Sequence, residues 1–204
     1  MIFSNTPTFT DIALSSSNQL FGNTFSELYS VNTTTGTTSL IGELGVSDLN
    51  ALGFSNSNVL YGAGTSGNFY TINTSTGVAS LLAKIPGFTS SGDIVYNPST
   101  NTFLATSRTG TAPGTGDDLF SITQTGIATD IGKIGFSNVF GLVFNGGTLF
   151  GYTDNNQQLI INPTTGAGTL AQALTGNRGS IFGAANVPSE GSTIVPNISC
   201  SAFK

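Results

Sequence analysis

Leu28-Tyr29-Ser30-Val31-Asn32-Thr33-Thr34-Thr35-Gly36 decides the fold, because the chain repeats it three more times. The counterparts are Phe69-Tyr70-Thr71-Ile72-Asn73-Thr74-Ser75-Thr76-Gly77, Leu119-Phe120-Ser121-Ile122-Thr123-Gln124-Thr125-Gly126 and Leu159-Ile160-Ile161-Asn162-Pro163-Thr164-Thr165-Gly166. Their closing glycines, at positions 36, 77, 126 and 166, lie 41, 49 and 40 residues apart. In each copy β-branched and aromatic residues lead into a polar segment ending in Gly, the pattern of a strand running into a turn. Asn opens such a turn by bonding backbone two residues on, and Gly closes it by taking a positive φ.

Working outward, Leu40-Ile41-Gly42, Leu81-Leu82-Ala83 and Ile131-Gly132 read as the second arm of each hairpin. Leu20-Phe21-Gly22, Leu60-Tyr61-Gly62, Phe103-Leu104-Ala105 and Leu149-Phe150-Gly151 read as a strand before it. One more strand precedes that, in Asp11-Ile12-Ala13-Leu14, Ala51-Leu52-Gly53-Phe54, Asp93-Ile94-Val95-Tyr96 and Gly141-Leu142-Val143-Phe144. Four antiparallel strands repeated at about this spacing are the blades of a β-propeller, in which each unit buries its faces only by stacking on its neighbours. The expected fold is therefore all-β, a small propeller with units near 11–48, 49–89, 90–137 and 138–177 within repeats spanning 1–187. Ala13, Gly53, Gly141 and Ala184 supply the small residues that crowded inner strands need. Ile181-Phe182-Gly183-Ala184-Ala185 matches the inner-strand pattern again, which favours five blades, with a partial fifth from 178 and a tail, 188–204, completing it. Four blades with an appended tail is the alternative.

The chain has 204 residues, long enough for a real core without disulfides or metal. Charged residues are 7%, against about 25% in ordinary domains, and the polar positions are filled by Gly, Ser, Thr and Asn. The five basic residues, Lys84, Arg108, Lys133, Arg178 and Lys204, are scattered and the formal net charge is −5, so nucleic acid and anionic membrane surfaces are poor partners. No apolar run reaches the length of a membrane-spanning helix. Met1-Ile2-Phe3-Ser4-Asn5 lacks the features of a secretory signal. The expectation is that such a signal has been removed or that the chain leaves its cell by another route, such as lysis. Cys200 is the single cysteine, read as a free thiol in the tail.

The hairpin signature, aromatic-Ser-Val-Asn-x-x-x-Gly followed by Leu-Ile-Gly, resembles repeats in bacterial extracellular β-propellers, notably cyanobacterial and proteobacterial proteins carrying a PEP-CTERM sorting tail. The resemblance covers about residues 11 to 187 and implies the propeller fold and an extracellular or surface location. That family runs from an Ala-rich strand into Val-Pro-Glu-Pro-Ser, an apolar helix and a basic end. Here Ala184-Ala185-Asn186-Val187-Pro188-Ser189-Glu190-Gly191 follows the first part only, so the resemblance is to the family without its sorting tail.

Chemistry is sparse. The chain has no His, which removes imidazole acid–base work and the triads built on it. Neither a phosphate-binding Gly-x-x-x-x-Gly-Lys loop nor a Gly-x-Ser-x-Gly elbow occurs. The reading is therefore not an enzyme. Asp11 and Asp93 fall at the same position of their inner strands, so both are expected to face a central channel, where a ring of carboxylates could hold Ca²⁺ with its six to eight oxygen ligands. Turn capping is the alternative. Asp117-Asp118 is expected on an exposed loop, Thr109 to Asp118, with a cation as the less favoured occupant. Asp154-Asn155-Asn156-Gln157-Gln158 reads as a tight hairpin tip. Tyr29, Tyr61, Tyr70 and Tyr152 read as core residues, with sugar stacking the alternative. The sequons at Asn32, Asn73 and Asn197 are expected by chance in so Asn- and Thr-rich a chain.

The functional expectation is a non-enzymatic surface or extracellular interaction protein that presents loops on a rigid ring to a protein or polysaccharide surface. It could serve as a homo-oligomer or an assembly component. A phage decoration or tail component and a glycan-binding lectin are the alternatives.

Overall fold

The computed structural model describes residues 7–108, 116–175 and 181–186. Its described residues contain sixteen strands and no helix. Blade 1 is β1 (Asp11–Leu14), β2 (Leu20–Asn23), β3 (Glu27–Val31) and β4 (Thr38–Glu43). Blade 2 is β5 (Leu49–Phe54), β6 (Leu60–Gly64), β7 (Asn68–Ile72) and β8 (Ala79–Lys84). Blade 3 is β9 (Ser90–Asn97), β10 (Thr102–Ser107), β11 (Asp118–Thr123) and β12 (Ala128–Lys133). Blade 4 is β13 (Val139–Asn145), β14 (Thr148–Thr153), β15 (Gln157–Ile161) and β16 (Gly168–Ala173). Each blade is a four-stranded antiparallel meander in sequence order. The first strands stand side by side about the axis, β1 against β5, β5 against β9 and β9 against β13. This is a four-bladed propeller.

The repeated turn folds as its residues demand. Asn32 Oδ1 accepts the N–H groups of Thr34 and Thr35 at 2.9 and 3.0 Å, and the Asn73 and Asn162 side chains do the same in blades 2 and 4. Gly36 closes the first turn at φ 72°, its N–H donating to Asn32 O at 2.7 Å. Blade 3 has Thr123 instead of Asn and a turn one residue shorter, with Gly126 N–H donating to Thr123 O at 2.9 Å. Each outer strand carries a bulge at the same place in its pairing, after Leu28, Phe69, Leu119 and Gln158. A bulged edge is a poor template for pairing with another chain.

The core lies in the seams between blades. One cluster joins Phe21, Leu28 and Leu44 of blade 1 to Leu49, Leu52 and Leu60 of blade 2. A second joins Tyr61 and Phe69 to Ile94 and Phe103, and a third joins Leu104, Leu119 and Ile134 to Val139, Leu142 and Leu149. Full burial of each such side chain contributes about 1.5–3 kcal/mol, so the seams supply most of the ring's cohesion.

The favoured count of five blades is corrected to four. Residues 181–186 do run at the inner position beyond blade 4: Phe182 stacks on Phe140 at 6.0 Å between ring centroids, and Asn186 Nδ2 donates to Phe144 O at 2.7 Å. They pair into no sheet, however. An inner-strand composition makes a blade only when further strands bond to it, and among the described residues none does. The tail 188–204, with Asn197 and Cys200, lies outside the described residues.

Candidate functional site

Two places in the ring concentrate polar chemistry inside an otherwise apolar frame: the axis and the outward face of blade 4.

At the axis, Asp11 opens β1 and Asp93 lies in β9 at the equivalent register, as the sequence predicts, opposite Asn23 and just before Ile94. Both are buried. Asp11 Oδ1 accepts its neighbour Ile12 N–H at 2.8 Å, and Oδ2 accepts Leu52 N–H of the next blade at 2.7 Å. Asp93 Oδ2 accepts the N–H of Leu142, the residue of blade 4 that corresponds to Leu52 of blade 2. Each carboxyl thus ties its own blade to the following one. The two carboxyls also face each other across the axis. Burial pushes Asp93 well above the usual carboxylate range, against the pull of the Leu142, Ala184 and Ile94 N–H groups. Towards the other end of the inner strands, Leu14, Phe54, Tyr96 and Asn186 surround a cavity of about 20 Å³. That is room for about one water.

Asp117 and Asp118 are corrected from exposed loop to seam. They are 2% and 3% exposed. Asp118 begins β11 and pairs with Lys133 at 2.6 Å, its partner across the strand register. Asp117 Oδ2 accepts Val139 N–H at 2.9 Å, where blade 4 begins. Burial raises Asp117, opposed by the Val139 N–H, Ser91, nearby Arg108 and the Asn138 N–H. The polar residues Thr109 to Gly116 suggested exposure for the whole stretch, but the burial of its last two residues depends on a blade some twenty residues further along the chain. The four aspartates are not gathered together: among the described residues, no three of His, Cys, Asp or Glu cluster as a metal would need.

The outward face of blade 4, where the sequence suggests a core position for Tyr152 and a hairpin tip for Gln158, is the more distinctive feature. In blade 1, Asn23, Leu28 and Gly42 form a row across β2, β3 and β4. Ala63, Phe69 and Ala83 form it in blade 2, and Thr106, Leu119 and Gly132 in blade 3. Leu28, Phe69 and Leu119 are fully buried knobs facing the following blade. The outer residue of the row must be small because the next blade's turn rests on it. A Cβ on Gly132 would lie 2.7 Å from Thr165 O; Gly42 faces Thr76 O likewise, and Ala83 meets Gly126.

In blade 4 the same row reads Tyr152, Gln158, Gln172. Gln158 Nε2 donates to Tyr152 Oη at 2.9 Å and Gln172 Nε2 donates to Gln158 Oε1 at 2.8 Å. Tyr152, Gln158 and the adjacent Phe150 are half-buried, Gln172 is exposed, and Leu174, whose counterparts Leu44, Ile85 and Ile134 are buried, is half-buried. A row with a buried apolar centre and a small outer residue has become a hydrogen-bonded polar ladder beside a phenyl ring. Aligning the four copies column by column would have exposed the change.

The other expected features sort simply. Tyr61 and Tyr70 are core residues, Tyr29 is half-buried against Phe9, and Tyr152 belongs to the ladder. Asp154 to Asn156 form the expected hairpin tip, but Gln157 and Gln158 are already strand. Asn32 and Asn73 have their side-chain oxygens engaged in turns.

No protein-family model matches this chain, and no curated protein matches it. Solved structures do. An extracellular domain from Bacteroides thetaiotaomicron matches at a TM-score of 0.54 and 15% identity, over 90% of this chain and 25% of that one. A gluconolactonase from Xanthomonas campestris matches at 0.64 and 11% identity, over 89% and 67%. An auxiliary nutrient binding protein from B. thetaiotaomicron matches at 0.53 and 11%, over 85% and 53%. The chain spans about a quarter of the first structure it matches, and identities this low establish the fold alone.

Proposed function

We propose that this chain is a non-enzymatic interaction protein of the extracellular or surface kind, which uses the outward face of blade 4 to hold a neutral, hydroxyl-rich partner such as a polysaccharide. The observation that carries the reading is the Tyr152–Gln158–Gln172 ladder, polar at its centre and outer position where three sister blades have a buried Leu or Phe beside Gly or Ala. Amides and a phenol offer donors and acceptors to hydroxyls, Phe150 offers an aromatic face, and no charged side chain belongs to the row, so the partner it suits is neutral. Every carboxylate of the axis and of the blade 3–4 seam already serves a backbone N–H, another carboxyl or a lysine, which supports binding over catalysis.

Binding to arrayed neutral polysaccharides, read for the wild-type chain and for the Gln158→Ala/Gln172→Ala double variant, tests this. Retention of at least one neutral glycan, lost in the variant while its melting temperature is kept, is the expected outcome. No binding at millimolar sugar, or binding that the variant leaves unchanged, contradicts it.

A further inference from the structure

We propose that Asp93 and Asp11 form a single-proton lock at the ring axis, Asp93 holding the proton and donating it to Asp11, so that the ring is fastened more firmly in acid than in neutral or alkaline solution. Asp93 Oδ1 is buried and no backbone or side-chain donor bonds it. The group it faces, the Asp11 carboxyl, is also an acceptor, so a hydrogen bond between the two requires a proton on one of them. Asp11 takes an N–H on each oxygen, Ile12 on Oδ1 and Leu52 on Oδ2, which is the arrangement of an ionised carboxylate. Asp93 takes the Leu142 N–H on Oδ2 and leaves Oδ1 for the proton.

The surroundings supply little else to compensate charge. Among the described residues, β5, β13 and residues 181–186 bring no ionisable side chain to the pair. β1 and β9 bring only the two aspartates and, three residues along, Tyr96, whose hydroxyl is engaged with Asn101. The next carboxyl along the blade 3–4 seam is Asp117, on Val139, with Arg108 near it.

The lock also bears on how the ring closes. Gly183 packs so tightly on Asp11 that a Cβ there would overlap Oδ1, and Ala184 N–H points at Asp93. One proton therefore joins blade 1, blade 3 and the segment following blade 4. The sign follows from linkage. The folded chain keeps this proton at pH values where an ordinary Asp, near 3.9, has lost it, so unfolding releases a proton and stability declines as pH rises above that value.

Asn at position 93 reproduces the locked form at every pH: its Oδ1 accepts from Leu142 and its Nδ2 donates to Asp11. Melting temperatures from pH 5 to pH 8 for wild type, Asp93→Asn and Asp11→Asn test the lock. The wild-type melting temperature is expected to fall across this range. That fall should shrink by about half or more in Asp93→Asn, which should melt above wild type at pH 8. Asp11→Asn, which turns a donor towards Ile12 or Leu52, should melt lower throughout. The share due to Asp117 is common to all three and cancels. Infrared spectra of the wild-type chain at neutral pH should show a protonated-carboxyl C=O band, a reading that stands even where a variant fails to fold. An unchanged slope in Asp93→Asn, or absence of that band, overturns the proposal.

Discussion

The face that blade 1 turns to blade 2 and the face that blade 4 turns outward have the same backbone and opposite side-chain logic. On the first, Leu28 is fully buried between Asn23 and Gly42, and the turn of blade 2 rests on that glycine. On the second, Gln158 sits between Tyr152 and Gln172 and bonds to both. Repeat proteins whose units bury each other need terminal units with a polar outer face. Blade 4 meets that need with a ladder that satisfies its own hydrogen bonds. The difference teaches that seams here are specified by a row of three residues, and that the row changes on the face against which no further blade packs among the described residues.

The largest effect is expected where that row meets backbone. Gly42→Val places branched carbon against the Thr76 carbonyl, an obstacle that cannot rotate away, so a loss of about 3 kcal/mol is expected. Gln172→Val, at the corresponding position of blade 4, should stay within about 0.5 kcal/mol. Chemical denaturation of the two variants sharpens the comparison, and equal losses would break it.

A smaller effect is expected at the carboxylate stitch between blades 3 and 4. Asp117→Ala leaves Val139 N–H without its acceptor, at a cost of about 1–3 kcal/mol at pH 5. Asp117→Asn retains an acceptor oxygen and should cost less. Because burial raises Asp117, the folded chain holds that proton longer than the unfolded chain as pH increases. Its favourable share is therefore complete in acid, below the ordinary value near 3.9, and is lost as pH rises through the raised one. Asp117→Asn should accordingly flatten part of the pH dependence of stability, measured by unfolding at pH 4, 5.5 and 7.

The fold was legible where its determinants are local. Asn32 and Gly36 fix their turn within five residues, and the alternation in Leu28 to Val31 marks a strand wherever it occurs. Blade number was not legible, because Ile181 to Ala185 has the composition of an inner strand and only its pairing distinguishes it from one. Asp11 and Asp93 were placed at the axis from their shared position, whereas their mutual contact depends on the closure of the ring. Asp117 and Asp118 looked exposed because the loop before them is polar, yet Val139 and Lys133, their partners, belong to other strands. Gln158 reads as part of a hairpin tip and Gln172 as ordinary surface, because a polar residue in a strand is normally the solvent-facing half of an alternation. Only Leu28, Phe69 and Leu119 at the same register show that the fold does not require polarity there.

Exchanging the central residue of the row between the two faces is the most direct test. Thermal unfolding should show Leu28→Gln losing about 3 kcal/mol, since a buried amide enters an apolar seam. For a domain of this size that is a fall of about 6–12 °C. Gln158→Leu should shift melting by no more than about 2 °C. Comparable falls for both exchanges, or a Leu28→Gln chain that melts like wild type, would contradict a ring built on three apolar seams and one polar face.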